Sequence, residues 1–64
     1  MFTVYNLLSG ETLTFSHFGA AAKHVIKALD NMEKNCPMAL LDAREENDGA
    51  VFEIWEGAQI IMRK

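Results

Sequence analysis

The chain contains one cysteine, one proline and no long apolar run. Cys36 by itself excludes an internal disulfide, and no segment approaches the ~18 consecutive apolar residues that a membrane-spanning helix needs. Residues 1–5 lack the basic start and apolar core of a signal peptide. A lone thiol without an export signal favours the cytoplasm. We expect Cys36 to be a small buried residue rather than a reactive thiol.

An excess of basic residues is also absent. Six Lys and Arg against nine Asp and Glu give a net charge of −3, without the basic excess that is typical of nucleic-acid-binding domains. The apolar fraction of 50% is too high for intrinsic disorder. We therefore expect a single domain, residues 1–64. A chain of this length buries only roughly 60% of the surface that its unfolded form exposes, so its core usually needs a disulfide, a metal or a partner chain.

Residues typical of catalytic and metal sites are few. His17 and His24 are the only histidines, whereas a zinc site needs three or four ligands. The acidic segment 42–49 does not match a calcium-binding loop, because Arg44 occupies the first ligand position. We interpret it as a solvated hairpin loop, or alternatively as a contact for a basic partner. With no phosphate-binding glycine loop and no activated nucleophile, we expect no metal, no cofactor, no small-molecule substrate and no enzymatic activity.

Strand-forming residues predict about five short strands. Segments 2–7 and 12–15 flank the turn signal Ser9-Gly10 and predict a hairpin. Three more segments, 38–44, 50–56 and 58–63, are separated by Asp48-Gly49, which predicts a tight reversal, and by Glu56-Gly57, which predicts a bulge or a short loop.

One amphipathic helix is predicted from about residue 17 to residue 34. Ser16 is a suitable N-cap, Asn35 can adopt the left-handed conformation that closes a helix, and Pro37 forbids continuation. The resulting order is ββαβββ, an α+β fold with the helix packed on one face of an antiparallel sheet. The apolar stripe of the helix comprises Phe18, Ala21, Ala22, Val25, Ile26, Leu29 and Met32.

Alternation along the strands divides their side chains between two faces. The set assigned to the helix-covered face is almost wholly apolar: Phe2, Val4, Leu13, Phe15, Phe52, Ile54, Ile60 and Met62. The other set comprises Thr3, Tyr5, Thr12, Thr14, Val51, Glu53, Trp55, Gln59, Ile61 and Arg63. A solvated face is normally mostly polar, but this one contains large apolar residues. Either a partner covers them, or segment 38–44 or a long side chain does, or the division slips by one residue at a bulge.

The uncovered face is the predicted binding site, because Trp and Tyr are enriched at binding hot spots. We expect a small protein-binding module, an inhibitor or modulator of a partner protein, that does not interact with membranes. The alternatives are a homodimer that uses the same face and a weak binder of single-stranded nucleic acid, whose bases would stack on the aromatic rings. Segment 58–62, uncharged and without proline, is a further candidate for strand pairing with another chain. The predicted partner-binding residues are Tyr5, Val51, Glu53, Trp55, Ile61 and Arg63.

In its small size, mild acidity and lack of catalytic residues, the chain resembles small accessory proteins encoded by bacteriophages and mobile elements. The resemblance covers size and general character rather than any motif. It implies a protein that docks onto a host enzyme and blocks or redirects it.

Overall fold

Four strands and two helices make up the structure, a computed structural model that describes all 64 residues, Met1–Lys64. The α+β class and the antiparallel sheet are confirmed, but the predicted five strands and single helix are wrong, since the observed order is ββααββ. The elements are β1 (Phe2–Asn6), β2 (Thr12–Phe15), α1 (Phe18–Asn35), α2 (Pro37–Glu46), β3 (Phe52–Glu56) and β4 (Gln59–Arg63).

The hairpin predicted at the start of the chain is confirmed. Strands β1 and β2 pair antiparallel, with Val4 opposite Leu13. The side-chain oxygen Oδ1 of Asn6 accepts hydrogen bonds from the backbone N–H groups of Leu8 and Ser9 at 2.9 and 3.1 Å. Gly10 then adopts a φ of 80°, a left-handed conformation that glycine reaches without steric cost.

Helix α1 agrees with the prediction in its centre and differs at its edges. Ala21, Val25 and Leu29 are buried, which confirms the middle of the apolar stripe. Ala22 and Met32 are partly buried against the core, whereas Phe18 and Ile26 are 41% and 56% exposed. Phe18 lies in the first turn, with its ring in edge-to-face contact with Phe2 of β1 at 5.9 Å, and Ile26 lies on the flank of the helix rather than at the centre of its buried side.

Both predicted ends of α1 are wrong in detail. The N-cap is His17 rather than Ser16, and no side chain caps the first turn. Asn35 is not left-handed, as the only non-glycine residue with a positive φ is Asp48. Instead, Asn35 remains helical, and the backbone N–H of Cys36 donates to the carbonyl of Met32 at 2.8 Å.

Helix α2 replaces the strand that was predicted over residues 38–44. Pro37 is the first residue of α2, where a proline costs no helical hydrogen bond, so it ends one helix and starts the next. The segment Pro37–Glu46 contains no β-branched residue and is rich in Ala, Leu, Met, Arg and Glu, which favour helix. Cys36 alone separates the helices and is exposed, so the expectation of a buried cysteine is wrong.

The core lies between the helices and one face of the sheet. Its fully buried side chains include Ile54, Val25 and Val51. Leu40 and Ala43 of α2 belong to the same buried cluster. The close backbone contacts of α1 are with β1, β2 and β3 and those of α2 are with α1, while Met62 of β4 is partly buried against the same core.

The connection from α2 to β3 contains two consecutive left-handed residues. Asp48 and Gly49 have φ values of 56° and 88°, and the Gly49 N–H donates to the carbonyl of Arg44 at 2.6 Å. The reversal predicted at Asp48-Gly49 is therefore confirmed, although it joins a helix to a strand and the acidic segment before it is helical rather than a hairpin loop.

Two glycine-to-alanine substitutions are expected to change stability in opposite directions. Gly49→Ala places a Cβ on a left-handed residue and should lower the free energy of unfolding by about 1–2 kcal/mol. Gly19→Ala, in the right-handed first turn of α1, should raise it by about 0.5 kcal/mol. Because neither added Cβ meets another atom within 4 Å, both changes report only the effect of backbone conformation on the free energy of unfolding. Urea unfolding measures them, and a Gly49→Ala variant as stable as the wild type would contradict the left-handed turn.

Candidate functional site

The sheet is ordered β2-β1-β3-β4, and the face opposite the helices is called the open face here. Cross-strand pairing arranges its side chains in two rows. The first row crosses the sheet as Thr14, Thr3, Trp55 and Ile60, and the second as Thr12, Tyr5, Glu53 and Arg63. The threonines lie on β1 and β2, so the large apolar and charged groups are concentrated towards β4.

A β-bulge in β4 decides which isoleucine faces Trp55. Ile54 pairs with Met62 and Trp55 pairs with Ile60, so Ile61 is an extra residue without a partner. The assignment of Ile60 to the helix-covered face and of Gln59 to the open face is therefore wrong. This error is the one-residue shift of register at a bulge, an alternative that the alternation of the sequence could not exclude. Ile60 and Ile61 are both exposed.

Val51 does not lie on the open face. Its side chain is 0% exposed and belongs to the core cluster, and it precedes the first residue of β3. Its backbone closes the end of the sheet, since its N–H donates to the carbonyl of Lys64 at 3.0 Å and its carbonyl accepts from Leu7 at 2.7 Å. The predicted position of Val51 is wrong because strand alternation does not extend to a residue before the strand.

Tyr5 and Trp55 form an aromatic pair at the centre of the open face. Their ring centroids are 5.7 Å apart, with planes inclined at 68° in an edge-to-face arrangement. Trp55 is half-buried, and Tyr5 is 37% exposed. The structure thus brings together the two aromatic residues predicted for this face, on the neighbouring strands β1 and β3.

Glu53 connects the polar groups of the open face. Its carboxylate accepts a hydrogen bond from the indole Nε1 of Trp55 at 3.1 Å and from Nε of Arg63 at 3.0 Å. Arg63 also donates through Nη2 to the backbone carbonyl of Asn47 at 2.9 Å. Only 14% of the Glu53 side chain is exposed, so these partners compensate a largely desolvated charge.

This network changes the role of the predicted charged residues. Glu53 and Arg63 are predicted to bind a partner, but each already has hydrogen-bond partners within the chain. The hydrogen bond to Glu53 also holds the indole of Trp55 in place. Asn47 is the member that sequence reasoning missed, because it caps α2 and the segment before it was interpreted as a strand.

Two shallow grooves flank α1 on the helical side of the sheet. One, of about 210 Å³, is lined by residues that include Leu13, His24 and Phe52. The other, of about 230 Å³, is lined by residues that include Ile26, Glu33 and Arg44. No three His, Cys, Asp or Glu side chains cluster as they would around a metal ion, and no helix has the length and apolarity needed to cross a membrane.

Comparison with known proteins identifies no relative of this chain. No protein-family model, no curated protein and no solved structure matches it. The assignment of a function therefore depends on the chemistry of its own residues, above all those of the open face.

Proposed function

We propose that this chain is a small, non-enzymatic protein-binding module that acts through the open face and inhibits or modulates its partner. The observation that carries the proposal is the position of Trp55, flanked by Tyr5 and Ile60 on a face that no helix covers. These three side chains form an apolar centre, and Thr3, Thr12, Thr14 and Arg63 surround it with polar groups. A partly apolar centre with a polar rim is the usual anatomy of a protein interface.

The aromatic pair is prepared for binding. Trp55 is held from one side by the ring of Tyr5 and through Nε1 by the carboxylate of Glu53. A side chain that is already ordered loses less conformational entropy on association. The pair therefore offers a large, rigid contact area, which is the property that enriches Trp and Tyr at hot spots.

The charges of the open face favour a protein over a nucleic acid. Arg63 is its only cation and is already paired with Glu53, so no free positive charge lies beside the aromatic rings. Binding of a single-stranded nucleic acid depends on such charges and weakens steeply with salt. Association that is insensitive to salt supports a protein partner.

Replacing Trp55 by alanine is expected to weaken partner binding by about 2 kcal/mol, or roughly 30-fold in Kd, while the fold is retained. The substitution removes the centre of the apolar group but no fully buried residue. The experiment captures partners from a lysate of the cells that produce the protein, with wild type and variant as parallel baits. The Kd of each captured protein, once purified, is then measured by titration calorimetry.

Leu8→Ala is the matched control, since Leu8 is exposed in the β1–β2 turn, away from the open face. A partner that binds wild type and Leu8→Ala but not Trp55→Ala supports the proposal. A partner that binds all three equally contradicts it. Circular dichroism distinguishes lost binding from lost folding. If the Trp55→Ala variant is unfolded, Trp55 contributes to the core rather than to a binding surface, and the proposal is contradicted.

A further inference from the structure

The two edge strands of the sheet differ in their protection against pairing with another chain. At one edge, β4 contains the bulge at Ile61 and is followed from Arg63 to the end by basic residues, and bulges and charged residues both hinder strand addition. At the other edge, β2 (Thr12–Phe15) contains no charge, no proline and no bulge. The structure therefore leaves β2, rather than segment 58–62, as the better edge for strand pairing.

Hydrogen bonds at the end of β1 show which of its residues bond to β2. The N–H of Asn6 donates to the carbonyl of Glu11 at 2.9 Å, and the N–H of the next residue, Leu7, donates to the carbonyl of Val51 on the opposite side at 2.7 Å. Successive residues of a central strand bond alternately to its two neighbours. The even-numbered residues of β1 therefore bond to β2, and the odd-numbered ones bond to β3.

Thr12 and Thr14 consequently turn their backbone groups away from the sheet. The even-numbered residues of β1 lie opposite Leu13 and Phe15, whose N–H and C=O groups are used in the β1–β2 ladder. Both threonines are exposed, and no hydrogen bond of a turn, a loop or a side chain involves them. Each chain thus has a row of two N–H and two C=O groups on the outer side of β2.

We propose that β2 pairs with β2 of a second copy of this chain, antiparallel, about a two-fold axis that is perpendicular to the sheet and level with Leu13. Thr12 of each copy then lies opposite Thr14 of the other, and each such pair exchanges two N–H···O=C hydrogen bonds. Four bonds form, and every outward backbone group of both strands is used. A register centred on either threonine would form only two bonds between strand residues. The strand is therefore self-complementary, as a two-fold interface requires.

The side chains that meet in this register are also compatible. On the open face, threonines of the two copies form cross-strand pairs, which stabilise antiparallel sheets. On the helix-covered face, Leu13, which is 46% exposed, meets its own copy at the axis. Glu11 lies two residues from the axis, so the Glu11 residues of the two copies are four residues, or about 14 Å, apart, and salt screens their repulsion. The pairing thus covers an exposed apolar side chain and brings no like charges together.

The dimer is expected to be weak and reversible, because a contact between two strands of four residues is at the lower end of specific interfaces. It joins the sheets into one of eight strands, with all helices on one side and both open faces on the other. Five strand spacings, about 24 Å, then separate the two Trp55 residues. The proposal does not depend on the function proposed for the open face, since the edge of the sheet is a different surface.

Sedimentation equilibrium of the full chain, from about 10 µM to about 1 mM protein, is expected to show a reversible equilibrium between monomer and dimer. Leu13→Lys and Leu13→Glu each place like charges at the axis and should raise the dimer Kd at least about tenfold at low salt. An equimolar mixture of the two variants should dimerise again, because residue 13 of one chain then meets the opposite charge of the other. This rescue is specific to the proposed register, in which residue 13 meets itself.

Amide hydrogen exchange followed by NMR tests the backbone bonds directly. The N–H groups of Thr12 and Thr14 are expected to exchange severalfold more slowly at about 1 mM than at about 50 µM protein. The N–H of Arg63 is the internal control. It points outwards from β4, because the next residue, Lys64, bonds to Phe52 of β3, and its exchange rate should not depend on concentration.

Two variants at other surfaces serve as controls. Ile61→Lys adds a charge at the β4 edge, and Trp55→Ala changes the open face, so both should retain dimerisation. A monomer at every concentration, or a mixture of the Leu13 variants that stays monomeric, would overturn the proposal. So would a dimer that is lost with either control and unaffected by Leu13→Lys.

Circular dichroism verifies that each variant is folded. If the Leu13 variants are unfolded, Thr14→Pro replaces them, because it removes an outward N–H that no bond within the chain uses. A folded Thr14→Pro variant is expected to be monomeric, and one that dimerises like the wild type would contradict the pairing of β2.

Discussion

Replacement of Ile54 by alanine is expected to lower the free energy of unfolding by about 2–5 kcal/mol. Ile54 is fully buried and is the largest side chain that is completely enclosed. It lies on β3 between Val4 of β1 and Met62 of β4, so its truncation removes contacts on both sides and leaves a cavity. Only ten residues of the chain are buried, and native domains have total stabilities of about 5–15 kcal/mol. We therefore expect this variant to be partly unfolded near body temperature.

The matched control for Ile54→Ala is Ile60→Ala, on the neighbouring strand. Ile60 is 41% exposed and faces away from the helices, so the same truncation there should cost less than about 1 kcal/mol. Urea unfolding followed by circular dichroism measures both. Equal losses in the two variants would show that the bulge does not direct Ile60 to the open face.

Replacement of Leu40 by alanine is expected to have an effect of similar size, about 2–5 kcal/mol. Leu40 is buried in the common core and is the only large side chain of α2 that is buried. Because the close backbone contacts of α2 are with α1 and not with any strand, loss of this anchor should release α2 before the sheet unfolds. Hydrogen exchange is expected to show lower protection in α2 than in β1 and β3.

Leu41 provides the comparison at the next position. It is exposed on the outer side of α2, so Leu41→Ala should cost less than about 1 kcal/mol, since alanine is also a good helix former. Thermal and urea unfolding of the two variants in parallel give the difference. If Leu41→Ala were the more destabilising change, the observed orientation of α2 would be wrong.

Local signals in the sequence predicted much of the fold. The first hairpin follows from strand formers on either side of Ser9-Gly10, and the centre of α1 follows from the spacing of Ala21, Val25 and Leu29. The turns at Asp48-Gly49 and Glu56-Gly57 lie where their glycines predicted them, with positive φ at both glycines. These features depend on neighbouring residues, so the order of the sequence is enough to indicate them.

The second helix was missed for an identifiable reason. Pro37 is compatible both with the end of a helix and with the start of one. Segment 37–46 is apolar on two sides, at Leu40 and at Met38 and Leu41, so it lacks the single stripe that reveals an amphipathic helix. Its low content of β-branched residues was the better indicator.

The candidate site was predicted in part. Tyr5, Trp55, Glu53 and Arg63 lie on the open face as expected from alternation. The contacts among them, with Glu53 joined to both Trp55 and Arg63, were not predicted. The bulge at Ile61 reversed the faces assigned to Gln59 and Ile60, and the burial of Val51 removed one of the six predicted partner-binding residues, because strand alternation holds neither across an inserted residue nor before the strand begins.

The sequence by itself determined that this small chain forms an α+β structure, that one helix shields one sheet face, and that a tryptophan and a tyrosine occupy the other. Propensity, alternation and turn chemistry act over a few residues, so they can be inferred from the chain alone. Only the tertiary structure decided the second helix, the register of β4 and the Glu53 network. Each of these depends on how elements pack together: Leu40 anchors α2 in the common core, and Glu53 meets Arg63 across two strands, so these contacts exist only after the chain has folded.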